Sequence, residues 1–335
     1  MELCVIEGDG VGREVIPAAL RVLRAVLPDV VVHNAHAGYD YFKTHGTPLP
    51  QETIDLALRY RAVLYGAADS PSFPVEGYYS PIIRLRRLLQ TYASLRPTRY
   101  LPVATARTGV DLMVIRENTE DLYVVSEQTD ESGHTSTAQK IITRGATERV
   151  SRLAYELARN EGREKVTIVH KANILPQSDG LFRRVALEIA TEYPDVITDE
   201  LLVDTAAYWM VKEPTRFDMI LTSNMYGDIL SDMAAAWGGG LGFVPALNLG
   251  DDAAIAEPVH GAAPDIAGKG IANPTAAILS MAMLLHHQWK LPELAQRIWD
   301  AVCVTLRHGD HTVDTFAEGA IGTEAFTDHV IANLI

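Results

Sequence analysis

The feature that most restricts the fold is an alternation of short apolar, strand-like runs with longer amphipathic runs along most of the 335 residues. Such alternation predicts an α/β protein with a parallel sheet at its core, because parallel strands need a crossover long enough to hold a helix. Leu3–Ile6 reads as a buried strand, Glu14–Leu27 as a helix, Ala62–Tyr65 as a strand and Ile82–Leu89 as an arginine-rich helix. Further strands are expected at Asp111–Ile115, Lys165–His170 and Met219–Thr222. Helices are expected at Thr147–Asn160, Leu181–Thr191, Ile229–Ala236, Thr275–His286 and Leu291–Thr305. Between Tyr123 and Arg144 the sequence turns polar and β-branched around Glu131, Ser132 and Gly133, which suits an exposed hairpin.

A chain of this length accommodates one large α/β domain or two lobes sharing a core. With 47% hydrophobic and 21% charged residues it can bury that core and is not disordered. The net charge of −14, with no basic stripe to override it, argues against nucleic acid and anionic membrane as partners. The most apolar stretch, Ala276–Leu285, is broken by Ser280 and is far shorter than the roughly 20 residues of a membrane helix, so a buried helix is expected. Cys4 and Cys303 stand near opposite ends without His or Cys at zinc-ligand spacing, which suggests neither a disulfide framework nor a zinc site. The opening MELCVIEGDG has no basic region followed by an apolar one, so no leader is expected and the setting reads as reducing cytoplasm.

Five groups of residues could carry chemistry. Gly8, Asp9, Gly10, Val11 and Gly12 suggest a phosphate-cradling turn, but the Rossmann spacing needs a glycine where Arg13 stands. The plainer reading is a tight strand-to-helix turn in a fold that is not Rossmann-type. Among the arginines, Arg84 and Arg87 suit a solvated helix face. Arg96 and Arg116 flank apolar segments, where a guanidinium is partly desolvated unless it meets a planar anion such as a carboxylate. Asp228 and Asp232 lie four apart, so a helix projects both carboxylates from one face. Like charges so placed either complement a helix dipole or share a cation such as Mg²⁺, with Asp204, at the end of a strand-like run over residues 201–203, as a further ligand. Tyr123 and Lys171 mean little singly, but beside a metal and several arginines positive charge would favour the phenolate of Tyr123 and make the two usable as acid and base. The glycine-rich run from Glu257 to Pro274 is a long loop whose small residues permit close backbone approach to a ligand.

EGDGVG, LRRLLQTYASLRP, VIRENTEDLY, HKAN, NMYGDILSD and EPVHGAAPDIAGKGIANPTAAILS, in this order across nearly the whole chain, resemble the isocitrate and isopropylmalate dehydrogenase family of β-decarboxylating dehydrogenases. The last two motifs are highly specific. The resemblance implies an α/β fold of two lobes around a large mixed sheet. Residues 1–97 and 243–335 form the first, cofactor-side lobe, residues 98–242 form the second, dimerising lobe, and substrate binds between them. It implies that Arg86, Arg96 and Arg116 hold the substrate carboxylates, that Tyr123 and Lys171 are the catalytic acid and base, and that Asp204, Asp228 and Asp232 ligate Mg²⁺ or Mn²⁺. His260, Gly261, Ala263, Asp265, Ile266 and Asn273 match the adenosine side of the dinucleotide site, and Ser70 and Asn173 match positions between substrate and nicotinamide. Asp265 and Ile266 stand where NADP-using relatives carry a cation and a tyrosine, which implies NAD. In this family the active site is shared across a homodimer, with a tetramer of two such dimers as the alternative assembly; Lys171 and Asp204 would then act in trans, and the hairpin near Glu131 would be the intersubunit clasp.

The chain departs from the family pattern at Asp121, where glycine is common, at Ala262, where serine or threonine is common, and at Thr205, Tyr208 and Trp209 after the metal aspartate. None of these removes a catalytic group. Ahead of Arg86, helical spacing in SPIIRLRR places Ile82 and Ile83 on the face of that arginine and turns Arg84 away, so that Ser80, Ile82 and Ile83 face the substrate's variable group. With Ser80 kept and apolar Ile82 where isocitrate-using members carry asparagine, the segment resembles the homoisocitrate-using members of the family, which serve lysine biosynthesis. The implied reaction is NAD-dependent oxidative decarboxylation of homoisocitrate, a tricarboxylate, to 2-oxoadipate, with isocitrate as a secondary substrate. Isocitrate or 3-isopropylmalate as main substrate is the alternative within the family, and a noncatalytic regulatory subunit is the alternative outside catalysis.

Overall fold

The structure, a computed structural model, describes residues 1–334. Its strands in chain order are β1 (Glu2–Gly8), β2 (Val31–Ala35), β3 (Ala62–Ala67), β4 (Ala93–Arg99), β5 (Asp111–Glu117), β6 (Glu127–Thr129), β7 (Ser136–Ala138), β8 (Lys165–His170), β9 (Ile197–Leu202), β10 (Met219–Thr222), β11 (Pro245–Leu249) and β12 (Ala254–Pro258). The helices are α1 (Gly12–Val26), α2 (Tyr39–His45), α3 (Gln51–Tyr60), α4 (Pro81–Leu88), α5 (Arg144–Glu161), α6 (Ser178–Ala190), α7 (Val203–Lys212), α8 (Asn224–Ala235), α9 (Thr275–His287), α10 (Pro292–Arg307) and α11 (Thr323–Ala332).

The chain forms two compact units, one of Met1–Thr91, Tyr100–Thr108 and Ala235–Ile335, the other of Tyr92–Arg99 and Gly109–Ala234. In the first, the strand order is β2-β1-β3-β12-β11. All neighbours are parallel except β11 and β12, which run antiparallel. A purely parallel core is therefore not what forms. The reason is local: only four residues join β11 to β12, too few for a crossover. Cys4, Ile6, Val63, Tyr65 and Ile255 alternate onto one face of the sheet and pack with Ile54 and Ala57 of α3 and Leu85 of α4. α9 packs on β11, β12 and α1. It is buried from Thr275 to Met281, as its apolar sequence predicts. Its one central polar group is satisfied, since Ser280 Oγ donates to Ala276 O at 2.7 Å and accepts from Ala246 N at 3.1 Å.

In the second unit the order is β4-β5-β10-β8-β9, with β4 antiparallel to β5 and the remaining pairs parallel. β6 and β7 form a separate two-stranded hairpin with every ladder residue exposed, where a polar hairpin is expected from the sequence. Asp204 does not end a strand. β9 stops at Leu202, and Asp204 sits in the first turn of α7.

Candidate active site

The glycine turn at residues 8–12 is built for backbone contact. A Cβ on Gly8 would lie 1.9 Å from Ala67 O, and one on Gly10 would lie 2.0 Å from Ala262 O. Val11 N donates to that Ala262 carbonyl at 2.9 Å. Asp9, buried, accepts the N–H groups of Tyr39, Asp40 and Asp69 at 2.7, 3.0 and 2.9 Å, which fastens the first turn of α2 and the loop after β3. Sequence reasoning missed this role of Asp9, and the turn serves as the tight strand-to-helix connection.

In the second unit a polar cluster gathers around α8. Arg116, at the end of β5, is 1% exposed and donates from Nε to Asn224 Oδ1 at 2.9 Å. Its Nη1 pairs with Asp228, and its guanidinium lies 4.8 Å from the centre of the Tyr123 ring. Gly227 makes this possible, because a Cβ there would come within 2.6 Å of the Arg116 side chain. Arg96 reaches Asp228 Oδ1 at 3.1 Å, Ser231 Oγ at 2.8 Å and Asp232 at 3.6 Å. The planar anion that the two arginines meet is thus Asp228, and Arg96 offsets the repulsion between the paired acids.

The Tyr123 hydroxyl donates to Asp228 Oδ2. Burial lifts the Tyr123 phenol above its ordinary range and the Asp228 hydrogen bond adds to the rise, against the opposing Arg116 cation. Among the residues present, desolvation outweighs the arginine charge that would favour the phenolate. Partial burial and the neighbouring Asp228 also raise the Asp232 carboxyl, while Arg96 pulls it down. Two acids on one helical face, one of them half-exposed and short of compensating charge, are a donor set that fits a hard divalent cation.

Lys171 and Asp204 form a pair of their own in the same unit, and the Lys171 hydrogen bond draws the Asp204 carboxyl below its usual range. Among the described residues Asp204 does not join Asp228 and Asp232 in one close carboxylate cluster. Asn173, two residues beyond Lys171, is exposed.

In the first unit Arg86 is buried and paired with Glu257, which also accepts from Asn248 Nδ2 at 2.9 Å. Its Nε is buried without a hydrogen-bond partner, a donor left over for a ligand. Glu257 was visible in the sequence only as the start of a glycine-rich run; nothing there signals a partner 171 positions away. Ser80 precedes α4 and Ile83 is half-buried on it; Ile82, expected beside Ile83 on the substrate-facing side, instead packs against the apolar core. Arg84 is exposed and stacks on Tyr79 at 4.8 Å, turned outward as helical spacing predicts. Ser70 is exposed on the loop after β3.

Glu257 and Pro258 belong to β12, so the glycine-rich loop expected from Glu257 begins after Pro258 and runs to Pro274; it is anchored. Gly268 N donates to Glu14 at 2.6 Å, and Thr323 donates to Gly270 O and Ala272 O at 2.9 and 2.6 Å. Ala263 has a left-handed φ of 41°. The His260 ring is held neutral by burial, with Nδ1 3.0 Å from Gly261 O and Nε2 buried without a hydrogen-bond partner. Gly261 and Asp265 are exposed and Ile266 half-buried. Asn273 is buried, donating to Asp314 at 3.0 Å and accepting the first N–H of α9, Thr275 N, at 3.0 Å. A neutral imidazole with an unpartnered nitrogen, bare backbone and an exposed carboxylate fit a nucleoside with its ribose hydroxyls.

Residues 2–330 match the family model described as isocitrate/isopropylmalate dehydrogenase. An isocitrate/homoisocitrate dehydrogenase of Thermus thermophilus is 47% identical over 99% of this chain and 98% of its own length. A 3-isopropylmalate dehydrogenase of Methanothermobacter thermautotrophicus is 43% identical over 100% and 98%. The crystal structure of an isocitrate dehydrogenase from Methylococcus capsulatus superposes with a TM-score of 0.96 at 40% identity, covering 99% of both chains.

Proposed function

We propose, from the premise that this chain belongs to the isocitrate/isopropylmalate dehydrogenase family and is a decarboxylating hydroxy-acid dehydrogenase, that its substrate is homoisocitrate and its oxidant NAD⁺. The product is 2-oxoadipate, isocitrate is a secondary substrate, and the pathway is lysine biosynthesis in the cytoplasm. Members of the family generally use NAD(P) and a divalent metal. The observation that carries the substrate reading is on α4: with Ile82 taken up by the core and Arg84 turned outward, half-buried Ile83 is left three residues before buried Arg86. An apolar contact beside a carboxylate-binding arginine suits a substrate with an extra methylene before its distal carboxylate. One methylene is worth only about 1 to 3 kcal/mol, so overlap with isocitrate follows.

Arg86, Arg96 and Arg116 bind the substrate carboxylates, and Ser80 and Ile83 meet the variable group. Ser70 and Asn173 lie toward the nicotinamide; His260, Gly261, Ala263, Asp265, Ile266 and Asn273 hold the adenosine end. Asp204, Asp228 and Asp232 would hold Mg²⁺ or Mn²⁺. When bound, the dinucleotide would supply a hydride acceptor and the cation would supply positive charge that stabilises developing negative charge on oxygen. Lys171 takes the proton of the C2 hydroxyl, directly or through a water, as C2 is oxidised. The resulting β-keto acid breaks its bond to the β-carboxylate, CO₂ departs, and the electron pair remains as an enolate. Tyr123, held protonated, returns a proton at C3.

Because Asp204 stands apart from Asp228 and Asp232 within one chain, the metal site is completed by a second copy, with Lys171 and Asp204 acting in the partner's site. Tyr208 and Val211, exposed at four- and seven-residue spacing from Asp204 on α7, and exposed Ile229 on α8 give a second copy apolar surface to cover. The bare β6–β7 hairpin, marginal alone, is the clasp.

The test is an absorbance assay for NADH with Mg²⁺ or Mn²⁺ over homoisocitrate, isocitrate, 3-isopropylmalate, malate and tartrate. Homoisocitrate should give the highest kcat/KM. The substrate reading fails if 3-isopropylmalate is best, or if isocitrate exceeds homoisocitrate by more than about tenfold.

A further inference from the structure

Within the second unit, three charged side chains are drawn together out of solvent without belonging to the reacting set. Asp121 is fully buried, with φ 73° and ψ −149°, a backbone conformation that L side chains rarely adopt. Lys140, at the base of the hairpin, has a side chain only 12% exposed. It pairs with Asp179 Oδ1 at 2.6 Å and Asp121 Oδ1 at 3.6 Å, and lies 4.3 Å from the centre of the Tyr226 ring. Asp179 is 2% exposed. One ammonium thus links two buried carboxylates, an arrangement whose desolvation is costly and which apolar residues often replace at no loss of stability, so stability alone does not account for it.

What the two carboxylates hold besides Lys140 gives the network its meaning. Asp121 accepts Leu122 N at 2.8 Å, immediately before Tyr123, and Met225 N at 3.0 Å, in the first turn of the helix that carries Asp228 and Asp232. Asp179 accepts Lys171 N at 2.6 Å. Asp121 N also donates to Ile141 O at 2.8 Å, which fixes Lys140's own segment against the Tyr123 loop.

We propose that Asp121, Lys140 and Asp179 are positioning residues: a buried strut that sets the backbone under Tyr123, under Lys171 and at the start of α8, and so the directions of the acid, the base and the two α8 carboxylates. The inference rests on the reading of Tyr123 and Lys171 as reacting groups and adds to it which residues aim them. Small misplacements of such groups are expensive in rate, so the strut acts on turnover more than on binding.

Two variants test it in the holoenzyme with metal, NAD⁺ and the best substrate of the panel. Lys140→Met leaves two buried carboxylates facing each other; kcat should fall by about tenfold or more while KM for NAD⁺ stays within about twofold. The triple variant Asp121→Asn, Lys140→Met, Asp179→Asn removes all three charges, so its melting temperature should return toward that of the parent, while kcat stays low because neutral amide oxygens hold the Leu122, Met225 and Lys171 N–H groups more weakly than carboxylates do. Tyr123→Phe and Lys171→Met run alongside; if those keep full turnover, the reading of the reacting groups has failed and not the strut. The strut itself is overturned if Lys140→Met keeps kcat within about twofold of the parent, or if kcat and melting temperature recover together in the triple variant. Failure of the triple variant to fold also overturns it, because a network serving position is replaceable as a unit.

Discussion

Tyr123 hydrogen-bonds to Asp228, the carboxylate that Arg96 and Arg116 already grip. The proposed acid is therefore aimed at a group proposed to carry the metal, and burial keeps its phenol protonated well beyond neutral pH. Tyr123→Phe should slow turnover of the hydroxy acid by about 10² to 10⁴ while leaving partial reduction of a supplied keto acid by NADH. Assaying both half-reactions separates them; equal losses in the two would remove Tyr123 from the decarboxylation half.

Lys171 is assigned the opposite role. Its partner Asp204 is exposed, so the pair holds little of the fold together. Lys171→Met should accordingly abolish NADH production while its melting temperature stays close to the parent's. Near-parental NADH production from this variant would mean that another group takes the hydroxyl proton.

The proposed preference for NAD⁺ rests on Asp265. An exposed carboxylate accepts hydrogen bonds from both ribose hydroxyls but meets a 2′-phosphate charge to charge. NAD⁺ should be strongly preferred, and Asp265→Lys should narrow the gap. A higher kcat/KM with NADP⁺ in the parent enzyme would contradict the assignment.

How much of this could be read from the sequence depended on whether a signal was local. β8 and β10 begin and end at the residues expected, because buried parallel strands are continuous apolar runs with polar breaks at both ends. β2 carries no such run: its VVHNA is mostly half-exposed, and it was not foreseen. β9 and α7 blur at Leu202 and Val203, where apolar sequence passes unbroken from strand to helix. The same holds in the candidate site. Asp228 and Asp232 declare themselves by their four-residue spacing, while Glu257 and Lys140 acquire their meaning from Arg86, Asp121 and Asp179, partners no periodicity connects.

Glu120 makes stability depend on pH. Its carboxylate accepts Thr143 N at 2.9 Å and Thr143 Oγ1 at 2.8 Å, yet burial, with Glu117 adding to it, raises its pKa to about 7. The folded state thus holds this proton more tightly than the unfolded one. The contribution is full below the ordinary glutamate range and is lost as pH rises through about 7. Melting temperatures of the parent, compared with those of Glu120→Gln, should fall more steeply between these limits; parallel curves for the two proteins would show that Glu120 ionises as freely in the fold as out of it.

Arg86 and Glu257 supply the last prediction, because their pair is buried on both sides, each side chain 9% exposed. Breaking such a pair leaves one uncompensated charge in a dry setting, typically at a cost of about 3 to 5 kcal/mol, whereas replacing both charges with apolar side chains is often neutral. Glu257→Gln keeps the shape and strands the guanidinium, so chemical denaturation should show a loss of that order. Arg86→Met with Glu257→Met should recover most of it. Activity should part company with stability: the double variant, however well folded, has lost a proposed substrate-binding cation, and its kcat/KM should stay far below that of the parent with every tricarboxylate tested. If the double variant recovers turnover along with stability, Arg86 holds the fold and not the substrate.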